Sequence, residues 1–132
     1  MAIEELEVLK ERCTMILEAA GDGIYGLDRN GCTTFLNSRA AEILGWNAAD
    51  LIGKPLHDIH HHTHANGKPY PREECPIYAA LKDGEVHQVS DEVFWHAKGH
   101  CVSVEYTSTP ILDNGQPSGA VVVFRDISDR LR

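Results

Sequence analysis

The sequence predicts an α+β domain: a five-stranded antiparallel sheet with short helices packed on one face. Three observations carry this. Strand-type runs near both ends are folded back by turns containing Asn30-Gly31 and Asn114-Gly115. Between them lie short segments with helical spacing, closed by Gly45, Gly53 and Gly84. In order, the segments read two strands, several short helices, then three strands.

The first 20 residues predict an amphipathic helix. Leu6, Leu9, Cys13, Ile16 and Ala20 recur at steps of three and four, flanked by Glu4, Glu5, Glu7, Lys10, Glu11 and Arg12, and Gly21 ends the run. The stripe either folds onto the sheet of its own chain or pairs with the same helix of a second copy. In the second case Leu6, Leu9, Cys13 and Ile16 form the dimer interface.

Residues 22–46 predict a hairpin and a helix. Ile24, Gly26 and Asp28 alternate with Tyr25 and Leu27, Arg29-Asn30-Gly31 turns the chain, and Thr33 to Leu36 returns it. Asn37-Ser38 caps a helix whose apolar positions are Ala40, Ala41, Ile43 and Leu44. Asn47 is expected to cap a further helical turn, and His57-Asp58-Ile59-His60 another. Residues 60–75 read as a loop, with Asn66-Gly67, Pro69 and Pro71 and no apolar period. A helix begins at Pro76, where proline suits the first turn, and runs to Leu81. Strands follow at 87–96, where the alternation is irregular, at 101–111, and through the apolar run Ala120 to Phe124. An exit helix starts near residue 128.

These segments resemble the PAS domain, the small sensory module of bacterial signalling proteins. The resemblance rests on Asp22-Gly23-Ile24, Asp28, Asn30-Gly31, Asn37, Ala40-Ala41, Leu44-Gly45-Trp46 and Leu51-Ile52-Gly53-Lys54. At the far end it rests on Gly119 to Phe124 and the closing Asp126-Ile127-Ser128-Asp129. It implies the strand order 2-1-5-4-3, a division into a leading helix (1–20), a PAS domain (21–127) and the start of a linker helix (128–132), and a cavity between sheet and helices. Carried over by position, the cavity would be lined by Ile24, Leu36, Ile43, Leu56, Ile59, Ile77, Leu81, Phe94, Val104, Tyr106 and Val122. Asp126, Ile127 and Asp129 would relay a signal from the last strand to an effector domain in the same polypeptide, such as a histidine kinase. The expected partners are a second copy, that effector, and a small ligand.

Composition narrows the function. A net charge of −8 opposes binding to nucleic-acid phosphates or an anionic membrane surface. No apolar run approaches the roughly 20 residues of a membrane span, and the acidic N-terminus is unlike a signal peptide, so a cytoplasmic location is expected. Cys13, Cys32, Cys75 and Cys101 are scattered and expected to be reduced. With no phosphate loop, nucleophile elbow or kinase motif, the chain is not expected to be an enzyme.

The histidines are the most unusual feature. Five of eight, His57, His60, His61, His62 and His64, fall between residues 57 and 64, with Cys75 downstream. Imidazole and thiolate suit zinc and other borderline metals, and His60, His62, His64 and Cys75 form the candidate metal set. Their spacing matches neither a zinc finger nor His-Glu-x-x-His. The leading alternative is that these residues are loop scaffolding, capping helices and bonding backbone; a further one makes them titratable pH or ligand sensors. The string from His60 to Tyr78 is similar to an insertion in a subset of PAS domains. Some members bind haem through a histidine before strand three, where His87 or a cluster histidine stands here. Light-sensing members need a reactive cysteine in an Asn-Cys-Arg-Phe-Leu-Gln-like motif. Cys75 is followed by Pro-Ile-Tyr, so flavin photochemistry is not expected.

Overall fold

A computed structural model describes residues 22–64 and 66–127. Its elements are β1 (Gly23–Asp28), β2 (Thr33–Leu36), α1 (Ser38–Leu44), α2 (Ala48–Leu51), α3 (His57–His60), a 3-10 turn (Arg72–Glu74), α4 (Pro76–Asp83), β3 (His87–Trp95), β4 (Cys101–Asp113) and β5 (Gln116–Asp126). The five strands form one sheet in the order β2-β1-β5-β4-β3, and every neighbouring pair is antiparallel. The expected sheet order is the observed one. The leading helix with Leu6, Leu9, Cys13 and Ile16, and the exit segment with Asp129, lie outside the described residues.

Local chemistry accounts for most boundaries. In the first turn, Asp28 Oδ1 accepts from the backbone N–H groups of Asn30 (2.9 Å) and Cys32 (3.0 Å). Asn37 is the N-cap of α1: its Oδ1 accepts from Ala40 N–H at 2.8 Å and from Ile24 N–H at 3.0 Å. Its Nδ2 donates to the Asp22 carbonyl at 3.2 Å, so one buried amide joins the start of β1 to the start of α1. Gly45 closes that helix in the left-handed region, at φ 73°. Asn47 stands at the N-cap of α2, but its side chain makes no capping bond. The β4–β5 turn places Asn114 (φ 52°) and Gly115 (φ 80°) in succession, the pattern of a hairpin turn that follows the strands' twist.

The core lies between the sheet and the helices. Tyr25 and Leu27 of β1, Phe94 of β3, Val102, Val104 and Tyr106 of β4, and Val122 and Phe124 of β5 pack there against Ile43, Leu44, Leu51, Leu56 and Ile77. Leu36, Ile59 and Leu81 pack on its margin. Ile24 is a correction to the expected lining. It is buried but outside this core, because side chains alternate along β1 and Tyr25 takes the helix-facing side. The Tyr25 hydroxyl meets His60 Nε2 there at 2.9 Å.

In β3 the register shifts between Val89, opposite Tyr106, and Glu92, opposite Val104. One extra residue is absorbed there. The bulge moves the inward-facing set from Val89 to Glu92 and Phe94, which explains the strand's irregular alternation. Among the described residues, no helix is long and apolar enough to cross a membrane.

Candidate functional site

The stretch 57–75 is a loop in the middle and core at both ends. His57, His60, His61, Tyr70 and Cys75 are buried, whereas His62 is exposed. The single turn of α3, with His61 N–H donating to His57 C=O at 3.0 Å, puts the residue 57 and 61 side chains on one face. A tight return then forms: Thr63 bridges Pro69, His64 N–H donates to Lys68 C=O at 2.8 Å, and Tyr70 N–H to His62 C=O at 2.8 Å. Trp95 Nε1 of β3 donates to Thr63 C=O at 2.7 Å and fastens this return to the sheet. The chain re-enters the core at Cys75, the N-cap of α4.

The result is a cluster not anticipated from spacing. One ligand atom from each of His57, His61 and Cys75 lies within 4.8 Å of the other two. His61 Nδ1 is 3.1 Å from Cys75 Sγ, and His61 Nε2 is 2.7 Å from Glu92 Oε1. A carboxylate can only accept, so Nε2 carries the proton and Nδ1 presents its lone pair to the sulfur. His57 Nε2 lies 2.7 Å from the Tyr70 carbonyl and must donate, which leaves the ring's lone pair on Nδ1.

Glu92 is the hub. Tyr106 donates to its Oε1 and Tyr70 to its Oε2, each at 2.7 Å. Burial pushes the carboxyl's pKa up, but the bonds from His61, Tyr106 and Tyr70 outweigh burial and hold it below its ordinary value. Burial, reinforced by bonding to Glu92, drives the Tyr70 and Tyr106 phenols strongly upward, so they remain neutral donors. Burial also raises the Cys75 thiol to about 11, against the opposing pull of the backbone N–H groups of Tyr78 and Ile77 at the start of α4.

The set His60, His62, His64 and Cys75 is not brought together. His60 turns into the apolar core, where its ring stacks on Phe94 with centroids 4.2 Å apart and its Nε2 shares a 2.9 Å hydrogen bond with the Tyr25 hydroxyl. Burial, then the neighbouring His61 and His57, hold its pKa well below the imidazole value. His62 stacks on Trp95 and bonds Thr63 Oγ1 at 2.6 Å, while His64 stacks on Tyr70 at 3.9 Å. Only Cys75 of the expected set belongs to the cluster. His57 and His61 were legible as His-x-x-x-His across a helical turn. Glu92 was not, because its inward direction depends on the bulge.

The other candidates separate similarly. His87 bonds Asp83 at 2.8 Å and is partly exposed, away from the cluster. The remaining expected lining residues pack against one another, and the gap between β1, α3 and α4 bordered by Tyr25, Leu56, His60, Ile77 and Tyr78 admits no water-sized sphere. At the exit, Ile127 is buried and its N–H donates to Ser103 C=O at 2.9 Å. Arg125 Nε donates to Asp22 Oδ1 at 2.9 Å, tying the end of β5 to the start of β1.

This architecture has known counterparts. The PAS domain of a Colwellia psychrerythraea protein superposes with a TM-score of 0.71 at 24% identity, over 93% of this chain and 99% of that one, which shows a shared fold. In sequence, the chain is 27% identical over 130 residues to the signal transduction histidine-protein kinase AtoS of Escherichia coli, covering 98% of this chain and 19% of the kinase. It is 28% identical over 122 residues to the probable diguanylate cyclase DgcE of the same organism, covering 91% of this chain and 11% of that protein. The chain thus spans about a fifth or less of either relative. The family model for the PAS fold matches residues 11–127, a span that contains the whole sheet, the described helices and the histidine–thiol cluster. The chain belongs to the PAS-fold family.

Proposed function

We propose that this chain is a sensory module whose core reports its state to an effector domain in the same polypeptide, with input taken at the His57–His61–Cys75 cluster. The observation that carries the reading is a continuous path. His61 bonds Glu92, Glu92 bonds Tyr106 of β4, and β4 holds both β5 and the first residue beyond it through Ser103 and Ile127. A ligand that favours one arrangement of this network shifts the population of exit-segment conformations by its differential affinity. Asp126, last residue of β5, is the hinge, with Ile127 anchored just beyond it. Asp129 and a second copy of the chain, paired through Leu6, Leu9, Cys13 and Ile16, carry the change onward. The likeness to a histidine kinase and a probable diguanylate cyclase supports this role.

Asp126→Ala tests the relay in the full polypeptide that carries this chain. The expected outcome is an unchanged circular-dichroism spectrum with an output that no longer responds to stimulus. An output as responsive as the parent's overturns the role of Asp126.

A second reading is favoured by the filled core: an interaction module that binds no small molecule and acts by pairing alone. Chemical-shift changes at core residues in a metabolite and metal screen support the sensor. An unmoved core alongside retained self-association supports the module.

A further inference from the structure

We propose that His57, His61 and Cys75 bind a single transition-metal ion of borderline softness, Zn²⁺ foremost, with Glu92 positioning His61. This deepens the sensory reading by naming the class of ligand at the same site.

The donor set is the first argument. Two imidazoles and a thiolate suit zinc and its neighbours, whereas Mg²⁺ and Ca²⁺ take oxygen ligands. Spacing is the second. A tetrahedral ion with Zn–N of about 2.0 Å and Zn–S of about 2.3 Å sets its ligands roughly 3.5 Å apart. Here His61 Nδ1 stands 3.1 Å from Cys75 Sγ, and one ring nitrogen of His57 falls in a group of ligand atoms spanning no more than 4.8 Å, so modest side-chain adjustments suffice.

Direction is the third. In both histidines the outer nitrogen is spent on a fixed acceptor, the Glu92 carboxylate or the Tyr70 carbonyl, which leaves the Nδ1 lone pairs as ligands. A carboxylate or carbonyl behind the ring is the arrangement that orients metal-bound histidine. Charge is the fourth. A divalent ion, one thiolate and one carboxylate sum to zero, so the occupied cluster buries no net charge. Binding replaces the thiol proton with the metal, and that proton leaves to solvent.

A cleft of about 200 Å³ is bordered by His64, Tyr70, Asp91 and Glu92, and two of these, Tyr70 and Glu92, bond the cluster histidines. Three protein ligands leave the fourth tetrahedral position for water or a small diffusible ligand.

The test is titration of the untagged, chelator-treated full chain with Co²⁺, then competition by Zn²⁺. The expected result is one Co²⁺ per chain, with a thiolate-to-cobalt charge-transfer band and the intense visible absorption of tetrahedral cobalt. Cys75→Ser removes the charge-transfer band. Glu92→Gln, of nearly the same shape, keeps the spectrum but weakens binding roughly 10- to 100-fold. The double variant His62→Gln/His64→Gln binds as the parent does.

No stoichiometric uptake by the parent chain overturns the proposal, as does a charge-transfer band surviving in a folded Cys75→Ser variant. Loss of binding in the His62/His64 variant also overturns it, since those side chains are not ligands here. Metal uptake is read on the chain alone, and relay on the output of the longer polypeptide. A chain that binds Co²⁺ while its Asp126→Ala form still signals overturns the relay and leaves the metal site standing.

Discussion

Residues 22–46 and residues 56–78 both contribute side chains to the same core, yet they are held by opposite means. In the first, polar atoms close local gaps in the backbone. Asp28 completes a turn, and Asn37 satisfies two N–H groups and one carbonyl. In the second, polar side chains bond to one another across long separations, His61 to Glu92 and His60 to Tyr25. The first is built to be rigid. The second gathers histidine, thiol and carboxylate where an apolar packing would serve stability equally well. Chemistry of this kind placed beneath a sheet is what marks the second region, and not the first, as the candidate for function.

The contrast can be broken by mutation, and the largest effect is expected at Asn37. Asn37→Ala strips partners from Ile24 N–H, Ala40 N–H and the Asp22 carbonyl, and is expected to destabilise the fold by about 3 kcal/mol. Urea unfolding measures this. A loss below about 1 kcal/mol would mean that the first region does not depend on backbone closure.

Tyr25→Phe probes the seam between the regions, since Tyr25 belongs to β1 and bonds His60. At neutral pH a loss of about 1–3 kcal/mol is expected from the stranded imidazole. The variant also changes the alkaline limb. Burial raises the Tyr25 phenol well above 10.0, so the unfolded chain releases its proton first as pH climbs. Stability from this group is fully present below pH 10.0 and falls above it, by up to about 1.4 kcal/mol per pH unit. Urea midpoints above pH 10 should therefore fall less steeply in Tyr25→Phe. Parallel slopes would mean that the phenol ionises in the folded state.

The smallest effect is expected at Asn47. It occupies an N-cap like Asn37 but makes no capping bond, so Asn47→Ala should shift stability by no more than about 0.5 kcal/mol. Equal losses at the two asparagines would erase the distinction between a cap in position and a cap in use.

The same division governs what could be read without coordinates. Turns and caps are short-range, so the Asn30-Gly31 turn, the Asn37 cap and the glycine stops at 45 and 84 are legible in neighbouring letters. Sheet order came from family likeness. The facing of β1 was not legible: both faces of that strand are buried, so Ile24 and Tyr25 offer no polarity contrast. The histidine site was half legible. An extended chain through residues 60–64 puts His60, His62 and His64 on one side, whereas the turn at His57–His60 gathers His57 and His61 instead. Cys75 fits both readings. The inward direction of Glu92 depends on a bulge that the irregular alternation of its strand hints at without placing.

The pairing of Gly23 with Phe124 has a mechanical consequence. Because β1 and β5 are antiparallel neighbours, the start of one and the finish of the other lie side by side at one end of the sheet. A pull on those two points loads their hydrogen bonds one pair at a time, like a zip, instead of shearing all six pairs together. Peeling needs little force per step, and the first bond to yield is the Asp22–Arg125 clasp. A small torque at that end of the sheet can thus part the two strand ends without shearing the ladder between them.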